Sequence, residues 1–218
     1  MPALHHVIVV GAGNAALCAA ISAAENGARV SIIERASEDQ SGGNSRYTAG
    51  AMRFAYENVE QLKLIVPELT IEEINNADFG QYTRDQFFDD MGRVTQYRSD
   101  PDLTELLVDQ SFPTMQWLRK LGLRFLPMYA RQAFKVDGKF RFWGGLTLEA
   151  WGGGAGLVAS LYAIAAKKSI SIEYGCRGMR LEKDDQGIRG IHVKKDKVSL
   201  FYACDAVILA CGGFEANS

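Results

Sequence analysis

The sequence predicts an α/β fold built on a doubly wound parallel sheet, and three adjacent segments carry that expectation. Val7-Ile8-Val9-Val10 is a short apolar run of β-branched residues and reads as a buried strand. Asn14 to Asn26 is rich in Ala and Leu and stops before Gly27, a residue suited to a helix C-terminus. Arg29 to Ile33 reads as a second strand, followed by Glu34. A strand, a helix and a strand within about thirty residues imply parallel pairing through a crossover.

The rest of the chain adds to this frame in order. Gln40 to Gly50 is a polar loop containing glycine, and Glu57 to Leu121 reads as mostly helical. Ser99-Asp100-Pro101 marks a helix start with Pro at its first position, and Pro113 is expected to end or kink that helix. Phe134 to Phe142 reads as a hairpin turning at Asp137-Gly138. Gly144 to Gly156 is a second glycine-rich stretch, with Gly152-Gly153-Gly154 expected as a flexible turn before an apolar helix over Leu157 to Lys168. Strands are expected at 171–174, 177–183, 188–194, 198–203 and 206–210, the middle three forming a β-meander.

Composition bounds the function. The 218 residues carry 24 Lys plus Arg against 26 Asp plus Glu, a net charge of -2 that argues against a polybasic nucleic-acid or membrane-surface binder. No apolar run approaches the ~18 residues of a membrane span, and no secretory signal opens the chain. The four cysteines form no C-x-x-C pair and no zinc-spaced cluster with the three histidines. The sequence therefore reads as a soluble, reduced, cytoplasmic protein without a metal site. Glycine is the outlier: 22 residues, about 10% against a usual ~7%, clustered where backbone would approach something closely.

Gly11-Ala12-Gly13-Asn14-Ala15-Ala16 joins the first strand to the first helix and has the form G-x-G-x-x-A. Gly11 permits a tight turn. Gly13 lets backbone approach a pyrophosphate at the helix N-terminus, where amide groups and the helix dipole favour anions. Ala16 is small enough for the helix to pack on the strand. Glu34 lies 18 residues past Ala16; a carboxylate there accepts hydrogen bonds from ribose hydroxyls and repels a 2′-phosphate. These residues alone leave FAD and NAD open.

Three later strings resemble the fumarate reductase/succinate dehydrogenase flavoprotein family. Ser41-Gly42-Gly43-Asn44-Ser45, continued by Thr48-Ala49-Gly50-Ala51-Met52, resembles its G-G-N-S segment. Residues Ala206 to Phe214 resemble its V-I-L-A-T-G-G-F string, and Ile172 to Ile191 its V-x-x-L…D-x-x-G-x-V-x-G-V stretch. The resemblance implies a Rossmann-like FAD-binding domain over residues 1–218. It places Gly11, Gly13, Asn14, Ala15 and Ala16 on the pyrophosphate, Glu34 on the adenosine ribose and Arg35 beside the adenosine. Gly43, Asn44 and Ser45 would line the pyrophosphate and ribityl region, and Thr48, Ala49 and Gly50 would approach the flavin ring. Gly178 would present backbone to adenine, and Ala210, Cys211 and Gly212 would close around the nucleotide. Covalently flavinylated branches carry His where this chain has Asn44, which implies non-covalent FAD. Cys211 replaces the usual Thr.

The activity implied is removal of two hydrogens from a saturated carbon–carbon bond of a di- or tricarboxylate. The strings look most like the branch that oxidises tricarballylate to cis-aconitate. Electrons would pass to an acceptor protein or quinone. In the family, the proton-carrying Arg and most carboxylate-binding residues follow the glycine string that closes this sequence, in a cap domain and a later FAD segment. The chain is thus expected to be the N-terminal part of a longer enzyme, and no catalytic residue is assigned. An inactive nucleotide-binding domain and an NAD-dependent reductase stay open as alternatives. Trp117, Trp143 and Trp151 read as core or subunit contacts, Cys18 as packing, and His5 and His6 as structural or exposed. Asp89-Asp90 and Asp184-Asp185 read as solvated acids. Arg46 and Arg53 flank the predicted flavin-side loop and are candidate carboxylate contacts.

Overall fold

The computed structural model describes residues 5–213. Phe214, the last residue of the closing glycine string, lies outside them. The chain runs β1 (His6–Val10), α1 (Asn14–Glu25), β2 (Arg29–Ile33), β3 (Ala51–Met52), α2 (Val59–Ile65), α3 (Ile71–Asn76), β4 (Ala77–Asp78), α4 (Arg84–Thr95), α5 (Pro101–Lys120) and β5 (Phe125–Pro127). It continues through α6 (Tyr129–Gln132), β6 (Ala133–Val136), β7 (Lys139–Phe142), β8 (Leu148–Ala150), α7 (Gly153–Lys167), β9 (Ser171–Glu173), β10 (Cys176–Asp184), β11 (Gly187–Lys195), β12 (Val198–Ala203) and β13 (Ala206–Leu209). The described residues pack as two compact units, 5–48 with 154–213 and 49–153.

The first unit holds the expected parallel sheet, in the order β13-β1-β2-β9. Val7 to Val10 lie opposite Val30 to Ile33 on one side and Ala206 to Leu209 on the other. Helix α1 buries Ala16, Leu17, Ala20 and Ile21, four positions on one helical face. The order reverses at β1, with β2 on one side and β13 on the other. In open α/β sheets that reversal leaves a crevice beyond the carboxyl ends of the strands.

The expected meander is present as the antiparallel set β10-β11-β12. Ile191, Val193, Cys176 and Cys204 form one buried cluster with Ile8 and Ile33 of the parallel sheet. A polar contact joins the same layers. Glu173 of β9 accepts from Lys195 Nζ at 2.7 Å and from the Tyr202 hydroxyl at 2.8 Å. Burial alone would raise the Glu173 carboxyl, but those two donors outweigh it and hold the group below the usual range. The turn joining β11 to β12 places Asp196 and Lys197 at φ 48° and 69°, the two positive angles that match strand twist in a tight hairpin.

The second unit carries two three-stranded sheets, β3-β8-β5 and β4-β7-β6. The hairpin at 133–142 forms as expected, with Asp137 and Gly138 both at positive φ. The long helical stretch is interrupted by β4 and by paired backbone bonds between Tyr56 and Tyr82, each 2.8 Å. The Tyr56 hydroxyl donates to the Phe79 carbonyl at 2.6 Å and accepts from the Leu146 amide at 2.9 Å. One buried side chain thereby satisfies two backbone groups far apart in sequence.

Three expectations are corrected here, two of them in part. Of the end or kink expected at Pro113, the end does not occur: the helix continues from Pro101 to Lys120. Proline costs a helix interior ~3 kcal/mol, whereas Val108, Met115 and Leu118 are all buried on α5, each contributing ~1.5–3 kcal/mol. Burial on both sides of the proline wins. Gly153 and Gly154 are not a flexible turn but the first residues of α7. Of the two places expected for them, Trp143 and Trp151 do not take the core: they are 76% and 62% exposed. The Trp143 ring meets Phe134 edge-on at 5.6 Å and Trp151 lies under the Arg124 guanidinium at 4.8 Å.

Tyr56→Phe should cost ~1–3 kcal/mol of urea-unfolding free energy, because buried backbone groups lose their partner. Glu173, with its depressed folded-state pKa, stabilises the fold fully above its ordinary value of 4.5 and loses that contribution as pH falls through the folded value. Wild type should therefore lose more unfolding free energy than Glu173→Gln between pH 6 and pH 3; equal losses would exclude this role.

Candidate nucleotide-binding site

Every site residue of the first unit except Gly178 lies on a loop or helix start. The closest approach is between backbones. Gly11 has φ +107°, and its amide donates to the Ile33 carbonyl at 2.8 Å. A Cβ added there would stand 2.4 Å from the Ala210 carbonyl oxygen and 3.1 Å from Cys211 Cα. Gly11 is thus required twice, by its dihedral and by the return of β13, whose Ala210 amide donates to Val10 at 2.9 Å. The strand after the meander and the turn after β1 are brought together by this contact. Cys211 and Gly212 are exposed beyond it.

Gly13 is different. Its backbone is extended (φ -81°, ψ -175°), and an added Cβ would meet its nearest atom, the Gly42 oxygen, at an ordinary 3.5 Å. No protein atom forbids a side chain at Gly13. Helix α1 begins there with no side chain at its N-cap and no acid in its first turn, so its own first turn does not neutralise the positive end of its dipole. Ala15 is exposed and Ala16 fully buried, the latter matching its packing role.

The second glycine segment folds over this helix start. Gly42 and Gly43 take φ +105° and +56°. Gly43 faces Gly13 so closely that a Cβ on it would stand 3.6 Å from Gly13 Cα. The Ser45 hydroxyl accepts from the Asn14 amide at 3.2 Å. Asn44 opens the short 3₁₀ turn Asn44–Tyr47 and is exposed. Gly154 of α7 supports this turn from behind: its amide donates to the Thr48 carbonyl at 3.0 Å, and a Cβ there would fall 2.2 Å from the Ser45 oxygen. The sequence reading assigns Gly154 no such role; only the fold reveals it.

Glu34 ends β2. Its amide donates to Glu173 and its carbonyl accepts from Cys176, both at 2.8 Å. Oε1 accepts from the Ala36 amide at 2.7 Å, which fixes the carboxylate at the sheet end. Arg35 beside it is exposed. Gly178 lies on β10, where a Cβ would come within 3.3 Å of Val10 and 3.2 Å of Ile191 side chains. Its glycine allows the meander to cross the ends of β1 and β2.

Sequence reasoning missed a hydroxyl cluster behind the first turn. Tyr162 of α7 donates to the Ala12 carbonyl at 3.1 Å, and Ser41 is 4% exposed. Burial raises the Tyr162 phenol above its ordinary value, and burial with neighbouring Tyr162 and Glu38 pushes Tyr174 to about 12. Both stay protonated and act as donors at neutral pH. Tyrosines on a helix and at a strand end carry no motif, so no sequence signal marked them.

Other candidates resolve into structure. Arg46 donates to the Asp39 carbonyl at 2.5 Å and the Ser41 carbonyl at 3.3 Å. His6 bridges the Ala203 carbonyl and the Ser31 hydroxyl. Cys18 donates to Asn14, and burial raises its thiol to about 11. Asp90 accepts from Tyr82 and Arg93, and Asp184 from Arg189. In the second unit Gly50 is buried at φ +67° and its carbonyl accepts from Ala150 at 2.9 Å; Ala49 precedes it, half-buried. Arg53 there donates to the Gly144 carbonyl and lies 4.6 Å over the Tyr82 ring. Among the described residues no group of three or more His, Cys, Asp or Glu side chains is placed to hold a metal ion, and no helix is long and apolar enough to cross a membrane.

Comparison with known proteins places this geometry. Residues 6–218 match the family described as FAD binding domain. A fumarate reductase (cytochrome) of Shewanella frigidimarina is 33% identical over 216 residues, covering 97% of this chain and 34% of that protein. The open conformation of a flavocytochrome c3 fumarate reductase superposes with a TM-score of 0.72 at 25% identity, over 99% of this chain and 35% of the other. The 3-ketosteroid-delta4-(5alpha)-dehydrogenase of Rhodococcus jostii RHA1, at 20% identity, shares the fold with a TM-score of 0.72, over 98% of this chain and 47% of the other. The chain spans about a third of the length of the fumarate reductases it matches. From the G-x-G-x-x-A turn to the returning strand β13, the chain belongs to the FAD-binding-domain family of fumarate reductase-type flavoproteins.

Proposed function

We propose that the chain binds FAD non-covalently and serves a dehydrogenase or reductase acting on the carbon–carbon bond of a di- or tricarboxylate. The observation that carries FAD binding is Gly13. The protein itself tolerates a Cβ at that position, so the glycine answers to a group outside the chain. An anion against a helix start with no acid in its first turn is the group the electrostatics favour.

In this reading the amides of Gly13, Asn14, Ala15 and Ala16 hold the pyrophosphate, with the Gly43–Ser45 backbone and Ser45 hydroxyl on its other side. Glu34 accepts from the adenosine ribose through the oxygen not committed to Ala36. Arg35 flanks the adenosine, Gly178 offers backbone to adenine, and Ala210 to Gly212 close the nucleotide side. Thr48, Ala49 and Gly50 approach the ring, where small residues leave room. Asn44 has an amide where attachment through carbon–nitrogen bond formation needs an imidazole nitrogen, which supports a dissociable cofactor. Bound FAD supplies the two-electron chemistry, and the chain's residues orient it.

Tricarballylate is the substrate that the G-G-N-S-R-Y-T-A-G-A-M-R and L-A-C-G-G-F-E-A-N strings favour, while the relatives named as fumarate reductases favour a dicarboxylate. An acceptor protein or quinone would take the electrons. Four free cysteines suit a reducing cytoplasm. No residue of the chain is assigned to proton transfer.

Purified protein should carry flavin absorbance that acid precipitation releases into the supernatant; failure to bind added FAD would refute the proposal. Gly13→Ala should leave the melting temperature of the cofactor-free protein within about 2 °C, since no protein atom is displaced, yet weaken FAD at least about tenfold, roughly 1.4 kcal/mol. Undiminished FAD affinity would remove the central observation.

A further inference from the structure

We propose that Tyr162 is a positioning residue that aims the Gly13 amide at the FAD pyrophosphate; this rests on the FAD reading above. The Tyr162 hydroxyl donates to the carbonyl of Ala12, the middle residue of G-x-G, at 3.1 Å. Ala12 is fully buried, and a buried carbonyl needs a partner. The described chain has no cis peptide bond. In a planar trans peptide the C=O of one residue and the N–H of the next point in opposite directions. Anchoring the Ala12 oxygen therefore sets the Gly13 N–H on the opposite side of the peptide. Glycines at 11 and 13 leave this peptide with few steric restraints of its own, so its orientation depends on what holds the Ala12 oxygen.

Tyr162 is itself held. Leu161 and Ala165, its neighbours on α7, are fully buried, which fixes the helix. Tyr174 neighbours the Tyr162 hydroxyl, whose proton goes to the Ala12 carbonyl. Tyr174 sits between Glu173 and Gly175, whose carbonyl and amide bond the Glu34 amide and the Ala36 carbonyl at 2.8 and 3.0 Å. Tyr174 and Tyr162 thus stand between the Glu34 end of the site and the glycine turn.

The test compares wild type, Tyr162→Phe and Tyr174→Phe. FAD affinity is read by fluorescence titration. The Gly13 amide is read by nuclear magnetic resonance on ¹⁵N-glycine-labelled protein saturated with ADP, which carries the pyrophosphate. Tyr162→Phe should weaken FAD about fivefold to twentyfold, the scale of one lost hydrogen bond. At ADP saturation it should at least halve the downfield shift of the Gly13 amide proton and leave that of Gly43 in place. Tyr174→Phe, which keeps the Ala12 bond, should weaken FAD less than about threefold. An unchanged Gly13 shift or unchanged FAD affinity in Tyr162→Phe would overturn the positioning role, as would parallel loss of the Gly13 and Gly43 shifts, which marks general disruption. Wild-type protein that binds neither FAD nor ADP would overturn the FAD reading and this role together.

Discussion

The site depends on backbone meeting backbone at distances that exclude a side chain. Gly11 lies under the Ala210 carbonyl, where a Cβ would fall at 2.4 Å, and Gly154 lies under the Ser45 carbonyl, where one would fall at 2.2 Å. The first contact joins β1 to the returning β13. The second joins α7 to the Asn44–Tyr47 turn. Three segments far apart in sequence are thereby drawn to the carboxyl ends of the parallel strands. Gly13, on the same turn as Gly11, is subject to neither restriction. That contrast separates glycines required by the fold from one that the fold does not require.

Polar groups around this frame point the same way. The start of α1 has no acid in its first turn and meets the neutral Ser45 hydroxyl, while Glu34 is fixed at the end of β2 by the Ala36 amide. A positive helix end and an oriented carboxylate, on neighbouring loops of one sheet, suit the two ends of an adenosine diphosphate. The half-buried tyrosines behind the turn stay protonated, and Tyr162 donates to the Ala12 carbonyl.

Much of this was legible in the sequence because it rests on local rules. The apolar run at 7–10, the Ala-rich helix, the Asp137-Gly138 turn and the strand alternation after Ser171 each follow from periodicity and turn chemistry. What failed depends on tertiary packing. Pro113 lies inside a helix because buried residues on both sides outweigh its local cost. Gly153 and Gly154 read as a loose turn because glycine clusters usually are one; the Ser45 carbonyl that demands Gly154 is more than a hundred residues away in the chain. Trp143 and Trp151 are hydrophobic by composition, yet they take their partners at the surface. Tyr162 and Tyr174 left no pattern, since a hydroxyl directed at a backbone carbonyl needs no neighbouring motif.

The central claim is that the Gly11–Ala16 turn and the Gly42–Ser45 loop together clasp the FAD pyrophosphate. Amide hydrogen exchange with and without saturating FAD tests it most directly. The account predicts slowed exchange over residues 11–16 and 42–46, with weaker protection at 34–36 and 210–213 and little change on the outer strands of the meander. FAD binding that leaves residues 11–16 and 42–46 unprotected, or protects only other segments, would contradict it.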